Sequence, residues 1–415
     1  MRGVLTLLLL AAGIAPAFAA DEDALNLADK AEMKAEKPSD WKIFAETGLR
    51  ESARRSDGAA LHAGRLSLDL RYDKVFAPGW RAVFADRLDM NRSYGAANDG
   101  NINTLKEAYL SWQAAPDRIA DFGRINQRSG VATGYNPTDY IRAGALRSAT
   151  SIDPGSLREN RLGSVMLRGQ ALWKVGSVTA LVSPKLADAP NSGAYNLDLG
   201  ATNQRTRWLV AASHKFSDAI NPQFLLSGGQ DQLAQLGFNL SVLANDATVV
   251  YAEWSGGRSK SLLSQALGGA DDSAFRNRVA TGLTYTTSGN LSLTAELDYN
   301  GAGLDRDGWN ALRRGSPAAY GRYRTFASTA QDLATRRGAF FYASWTDAFV
   351  KHFDLNAMLR YDAVDSSRLQ WVEARYHWTK VDLALQYQRN AGKPGSDYGA
   401  ASETRIAQLL LRTYF

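Results

Sequence analysis

The stretch Arg65-Leu66-Ser67-Leu68-Asp69-Leu70-Arg71-Tyr72 decides the fold. In an extended chain successive side chains leave on opposite faces, so Leu66, Leu68, Leu70 and Tyr72 share one face while Arg65, Ser67, Asp69 and Arg71 share the other. The same period of two recurs far downstream. Leu291, Leu293, Ala295, Leu297 and Tyr299 oppose Ser292, Thr294, Glu296, Asp298 and Asn300, and Val381, Leu383, Leu385 and Tyr387 oppose Asp382, Ala384, Gln386 and Gln388. In a soluble sandwich the apolar face is a core. In a membrane barrel it meets lipid and the polar face lines a lumen.

Three features separate those readings. The alternating stretches run about nine to twelve residues, which suits a tilted membrane-crossing strand better than a globular one. On the apolar faces aromatics gather at strand ends, with Trp41, Tyr72, Trp80, Trp112 and Trp173 toward one rim and Trp208, Trp254, Tyr299, Tyr361 and Tyr387 toward the other. Two water–lipid interfaces select that banding, and a protein core does not. Counted from Trp41, links after even-numbered strands are short, while those after odd-numbered strands include the long ones, 126–159, 185–204, 256–276, 301–337 and 390–403. The sequence therefore predicts an all-β, antiparallel transmembrane β-barrel of about 18 strands (~16 to 18), with short periplasmic turns, long outer loops and both termini in the periplasm. One residue breaks the pattern. Asp86 falls on the apolar face of the strand starting at Trp80, which marks a β-bulge or a shifted register.

Ahead of the barrel, Met1-Arg2-Gly3, an apolar stretch from Val4 to Ile14 and Ala17-Phe18-Ala19 have the layout of a secretory signal peptide, 1–19. Roughly eleven apolar residues are too few for a spanning helix. Residues 20–40, charged and alanine-rich, read as a periplasmic segment, and 41–415 as the barrel. With no cysteine, disulfides and thiol chemistry are excluded. The formal charge of +6 comes from scattered arginines, and an exported chain does not routinely meet nucleic acid.

Signals for chemistry are weak. His62, His214, His352 and His377 are isolated, with no nucleophile motif beside them, so no catalytic residue and no enzyme is expected. Neither Asn98-Asp99-Gly100-Asn101 nor Gly268-Gly269-Ala270-Asp271-Asp272 has the ligand spacing of a dedicated calcium loop, so no metal or other cofactor is expected. The lumen positions carry more information. Arg65, Asp69, Arg71, Glu296, Asp298, Arg360 and Arg375 place both charge signs on the inner wall, as selectivity rings or as ion-pair ladders. In the third outer loop and its approach, Arg124, Arg128 and Arg142, with Asp139, are the candidate constriction. They favour anions if the loop folds inward, or grip lipopolysaccharide phosphates if it does not.

Gly123-Arg124, Asn126, Arg128, Gly130, Gly134 and Asn136-Pro137-Thr138-Asp139 form a Gly-Arg strand end followed by an Asn-Pro-x-Asp loop. With the alternation and the final strand ending at Phe415, this resembles the large substrate-selective porins and the alginate-export-like barrels of Gram-negative outer membranes. Leu410 stands where the C-terminal insertion signal of such barrels prefers glycine. The resemblance implies an outer-membrane channel for small polar solutes, anionic or polyhydroxylated, in contact with outer-membrane lipid and lipopolysaccharide and inserted by the barrel machinery through its last strand. Two other classes stay open: an export conduit working with a periplasmic or inner-membrane partner, and a non-conducting structural or adhesive barrel.

Overall fold

The computed structural model describes residues 39–94 and 100–415. The expected leader 1–19, residues 20–38 of the segment after it, and Asn98 and Asp99 lie outside the described residues. Eighteen strands follow in chain order: β1 (Trp41–Arg54), β2 (Ala60–Ala77), β3 (Trp80–Tyr94), β4 (Gly100–Ala115), β5 (Arg118–Ile125) and β6 (Ser164–Trp173). Next come β7 (Gly176–Ser183), β8 (Arg207–His214), β9 (Gln223–Gly229), β10 (Gln232–Asn245), β11 (Thr248–Ser259) and β12 (Ala274–Thr286). The last six are β13 (Leu291–Asn300), β14 (Arg337–Trp345), β15 (Phe353–Asp362), β16 (Arg368–His377), β17 (Val381–Ala391) and β18 (Glu403–Tyr414).

Every strand pairs antiparallel with its chain neighbours, and β1 closes on β18 from Phe44 opposite Tyr414 to Arg54 opposite Glu403. Closure removes the sheet edges, so the strand backbone groups are satisfied within the wall and the outer surface can be apolar. That surface is apolar. Leu66, Leu68, Phe122, Leu167, Leu297 and Leu385 are exposed on it, bounded at the short-turn end by aromatic pairs such as Trp41–Tyr72 at 4.3 Å and Trp80–Trp112 at 5.8 Å between ring centres. A girdle of this kind is stable only against lipid. No helix among the described residues is long and apolar enough to cross a membrane.

Links after even-numbered strands are short, 78–79, 116–117 and 174–175 among them, whereas 126–163, 184–206 and 301–336 follow odd-numbered strands. Two expectations shift. The loop read as 256–276 spans only 260–273, because Gly256 and Gly257 stay paired opposite Asn277 and Arg276 and are strand residues. Strand length also varies more than the alternation suggested, from 7 residues in β9 to 18 in β2. At Asp86 there is a bulge, and it lies on the neighbouring strand. Ala85 is opposite Glu107 and Asp86 opposite Leu105, which leaves Lys106 as the extra residue. Asp86 keeps its outward place and accepts a hydrogen bond from the Asn103 amide at 3.0 Å.

Candidate functional site: the obstructed lumen

The inner wall of β1 to β4 and β18 is a mosaic of ion pairs, dictated by which residues the register sets opposite one another. Glu46 is its hub, within 2.5 Å of Arg65, 2.8 Å of Arg412 and 3.3 Å of Arg87. Asp69 pairs with Lys106 at 2.7 Å, a contact that exists because the bulge turns Lys106 inward. Arg71 reaches Glu107 and, at 3.5 Å, Asp73. Arg375 binds Glu373 through two nitrogens, at 3.1 and 3.0 Å, and lies 3.5 Å from Asp382. So Arg65, Asp69, Arg71 and Arg375 face the lumen as the alternation requires, each already paired. His377, isolated in the sequence, bridges Asp382 and Asp354 at 2.9 and 3.0 Å.

The third long-loop connection, 126–163, turns inward and crosses to the far wall. Two buried carboxylates hold it there. Glu253 of β11 accepts the backbone N–H groups of Val131, Ala132 and Thr138 at 3.0, 3.1 and 2.7 Å, and the Thr138 hydroxyl at 2.8 Å. Glu296 of β13 accepts those of Thr133, Gly134 and Tyr135 at 2.9, 3.1 and 2.8 Å, and the Tyr251 hydroxyl at 2.7 Å. Charged acceptors make the strongest such bonds, which suits a loop with little regular structure of its own. Gly134 is needed for the approach, since a Cβ there would lie 2.4 Å from the Phe340 ring. Arg360 of β15 donates to the Gly134 carbonyl at 3.0 Å and lies over the Phe340 ring at 5.2 Å. Further along, Tyr342 donates to Asp153 at 2.8 Å and Arg65 to the Thr150 carbonyl at 3.4 Å, so the loop touches walls on several sides of the lumen.

The arginines of this region separate into different roles. Arg142 is buried. It binds Asp332 at 3.0 Å and the Ala330 carbonyl at 3.3 Å, and lies over the Tyr135 ring at 5.2 Å. Asp139 is consumed by Arg161 at 2.5 Å. Arg128 is half-buried on the loop. Arg124 differs from the expectation that it would be presented to the lumen. It is opposite Ala108 and Val165, two residues from exposed Phe122, and therefore lies on the outward face, buried, while Gly123 takes the inward place. The physical reason is the alternation itself, which places Phe122 and Arg124 on one face. Asp298 is buried on β13, with Oδ1 lacking a hydrogen-bond partner. The structure thus brings Glu296, Arg360 and Arg142 together around the turn 133–136, and Arg65 with Asp69 around Glu46. Glu253 as an anchor, Lys106 and Asp332 were not singled out beforehand. The alternation placed Glu253 on the lumen face, and the misplaced Asp86 was the signal for the Lys106 bulge.

Above the loop sits a helical cap formed by α1 (Arg306–Arg314) and α2 (Pro317–Ala330), whose Trp309, Leu312, Tyr323 and Ala327 share an apolar cluster with Leu262 and Val364. Its arginines reach neighbouring loops: Arg313 donates to the Pro394 carbonyl at 2.6 Å and Arg324 to that of Asp397 at 2.7 Å. Gln331 donates to the Arg142 carbonyl at 2.7 Å, joining cap to inward loop. In 260–273, Asp271 and Asp272 accept the backbone N–H groups of Ser273 and Ser261, which is turn chemistry. Between residues 149–152 of the inward loop and the wall of β16, β17, β18 and β1 there is a cavity of about 250 Å³.

No protein-family model matches the chain, and neither does any curated protein. Among solved structures the chain is similar to Acinetobacter baumannii OccAB1, with TM-score 0.58 and 12% identity over 90% of this chain and 96% of that one. Pseudomonas aeruginosa OccK5 aligns with TM-score 0.55 and 10% identity, covering 91% and 98%, and P. aeruginosa OccK8 with 0.54 and 12%, covering 91% and 98%. These neighbours are Gram-negative outer-membrane porins, and at such identity the likeness is one of fold.

Proposed function

We propose that the protein is a diffusion channel of the Gram-negative outer membrane for small polar solutes, anionic or polyhydroxylated, with its short turns and termini in the periplasm. The observation that carries this reading is the third loop pinned across a polar lumen by Glu253 and Glu296. A barrel serving only as a scaffold has no need to hold a loop inside itself, whereas a selective passage needs a narrowed, shaped section. The exposure of the wall supports the solute class. Glu46 and Glu296 are withdrawn, at 2% and 1% exposure, while the side chains of Arg71 and Arg50 are 39% and 35% exposed, beside that of Asp73 at 31%. A solute passing Arg50 and Arg71 meets guanidinium N–H groups, and these bind oxyanions and hydroxyl oxygens. The apolar girdle fits outer-membrane lipid, with lipopolysaccharide around the long loops, and the final strand is the element the insertion machinery would read. The test is reconstitution of purified protein in planar bilayers: discrete KCl conductance steps are expected, and a barrel that inserts and stays silent would end the channel reading.

A further inference from the structure

The cavity left beside the inward loop has a chemistry unlike the rest of the lumen. Its wall consists of two adjacent rows fixed by register. In one, Arg50 of β1 is opposite Gln408 of β18, which is opposite Gln386 of β17. In the next, Ile406 is opposite Gln388, which is opposite Trp371 of β16. The other side is the loop itself, including Thr150 and Ser151. Three carboxamides, two hydroxyl side chains and an indole converge there with one guanidinium, and Glu403 already pairs with that guanidinium. The charge of the site is therefore compensated before any solute arrives.

The amides of Gln386, Gln388 and Gln408 and the hydroxyls of Thr150 and Ser151 bring both donors and acceptors to the cavity. A carboxylate offers acceptors only and leaves the amide oxygens unmatched, and a cation has the reverse mismatch. A hydroxyl group both donates and accepts, and fits such a mixed lining. The volume, about 250 Å³, lies below the ~300–1,000 Å³ of pockets that enclose drug-sized ligands, and so suits a single ring. Trp371 and Ile406 supply the apolar part of the lining, against which the C–H face of such a ring can lie.

We infer that this cavity is a binding subsite for an uncharged, hydroxyl-rich solute the size of one sugar ring, which narrows the solute class of the proposed channel to its polyhydroxylated branch. Its role in transport rests on the channel reading, while its binding does not. The experiment is isothermal titration of the whole purified barrel in detergent with D-glucose, then with D-gluconate of nearly the same size and one negative charge, alongside KCl conductance of the same preparation. Glucose is expected to bind at least tenfold more tightly than gluconate. Gln408→Leu should weaken glucose binding about tenfold, the loss of one hydrogen bond to a buried group, and Gln408→Glu, which keeps an acceptor, should restore most of it. Gln388→Leu serves as a second variant if Gln408→Leu fails to fold, as judged by sheet content and heat-shifted gel mobility. Tighter binding of gluconate, no heat of binding with glucose, or undiminished glucose binding in the folded Leu variant would overturn the subsite. Glucose binding without KCl conductance would uphold the subsite and remove the channel, and conductance without glucose binding would do the opposite.

Discussion

Replacing Glu296 by Gln removes one of the two pins of the inward loop while leaving the strand ladder intact, since the backbone pairing of β13 with β12 and β14 does not use the side chain. The carboxylate accepts three consecutive N–H groups, Thr133, Gly134 and Tyr135, and the Tyr251 hydroxyl, all between 2.7 and 3.1 Å. Glutamine keeps one carbonyl oxygen and turns an NH₂ group toward the remaining donors. About two hydrogen bonds to a charged acceptor are lost, at roughly 1.5–3 kcal/mol each, so loop docking weakens by about 3–5 kcal/mol once non-additivity is allowed for. At ~1.4 kcal/mol per tenfold, the undocked population of 133–136 rises roughly a hundred- to several-thousand-fold. Single-channel recording is expected to show larger and noisier conductance, and limited proteolysis a new cut within 126–163, with the heat-shifted gel mobility of the closed barrel unchanged. Parent-like conductance together with a parent-like digest would refute the view that the carboxylate holds the loop.

Other expectations follow from the same contacts. Arg142→Gln removes one of the partners of Asp332, leaving the Tyr135 hydroxyl at 2.7 Å and Arg278 at 3.8 Å, at a cost of about 1.5–3 kcal/mol, which should loosen loop and cap and raise conductance; a shift of reversal potential in a salt gradient, with conductance unchanged, would instead assign Arg142 to solute contact. Burial pushes the Asp397 carboxyl above its ordinary value, and nearby Asp365 adds to it while Arg324 opposes. The docked cap therefore holds that proton more tightly than the undocked one. The contribution is complete below the ordinary carboxylate range near ~4 and is lost as pH rises through the raised value. Proteolysis of 301–336 should accordingly increase with pH, and Asp397→Asn should flatten the trend; an unchanged trend in that variant would dismiss the carboxyl as its source. Asp86→Leu removes a carboxylate from the outward apolar face and should raise barrel stability in lipid by about 1–2 kcal/mol, read as a higher urea midpoint of unfolding, whereas a lower midpoint would mean that Asp86 is satisfied by something beyond Asn103. Cysteines placed at Ser192 and Ser328 should label on intact cells and those at Asn290 and Thr379 should not, and the reverse pattern would invert the assigned topology.

The barrel is written into the chain's alternation. A period of two has one consequence for every side chain in a strand, so the faces of Arg65 to Tyr72, the count of eighteen strands and the alternation of short and long links were legible before any coordinates. Even the bulge announced itself through Asp86, although it took the pairing of β3 with β4 to show that Lys106 is the inserted residue and that it completes the pair with Asp69. The lumen depends on contacts between distant parts of the chain. The loop 126–163 carries no periodic signal, and its position depends on Glu253 and Glu296, more than a hundred residues away, whose type and strand face say only that they look inward. The same holds for Arg142, which could serve solute, lipopolysaccharide or fold from sequence alone and is committed by Asp332 and Tyr135. Nor could spacing assemble Arg50, Gln408 and Gln386, because the row they form crosses the seam where the two ends of the barrel meet. Local alternation is a property of neighbours in the chain. A constriction is made by residues that become neighbours only when the sheet closes.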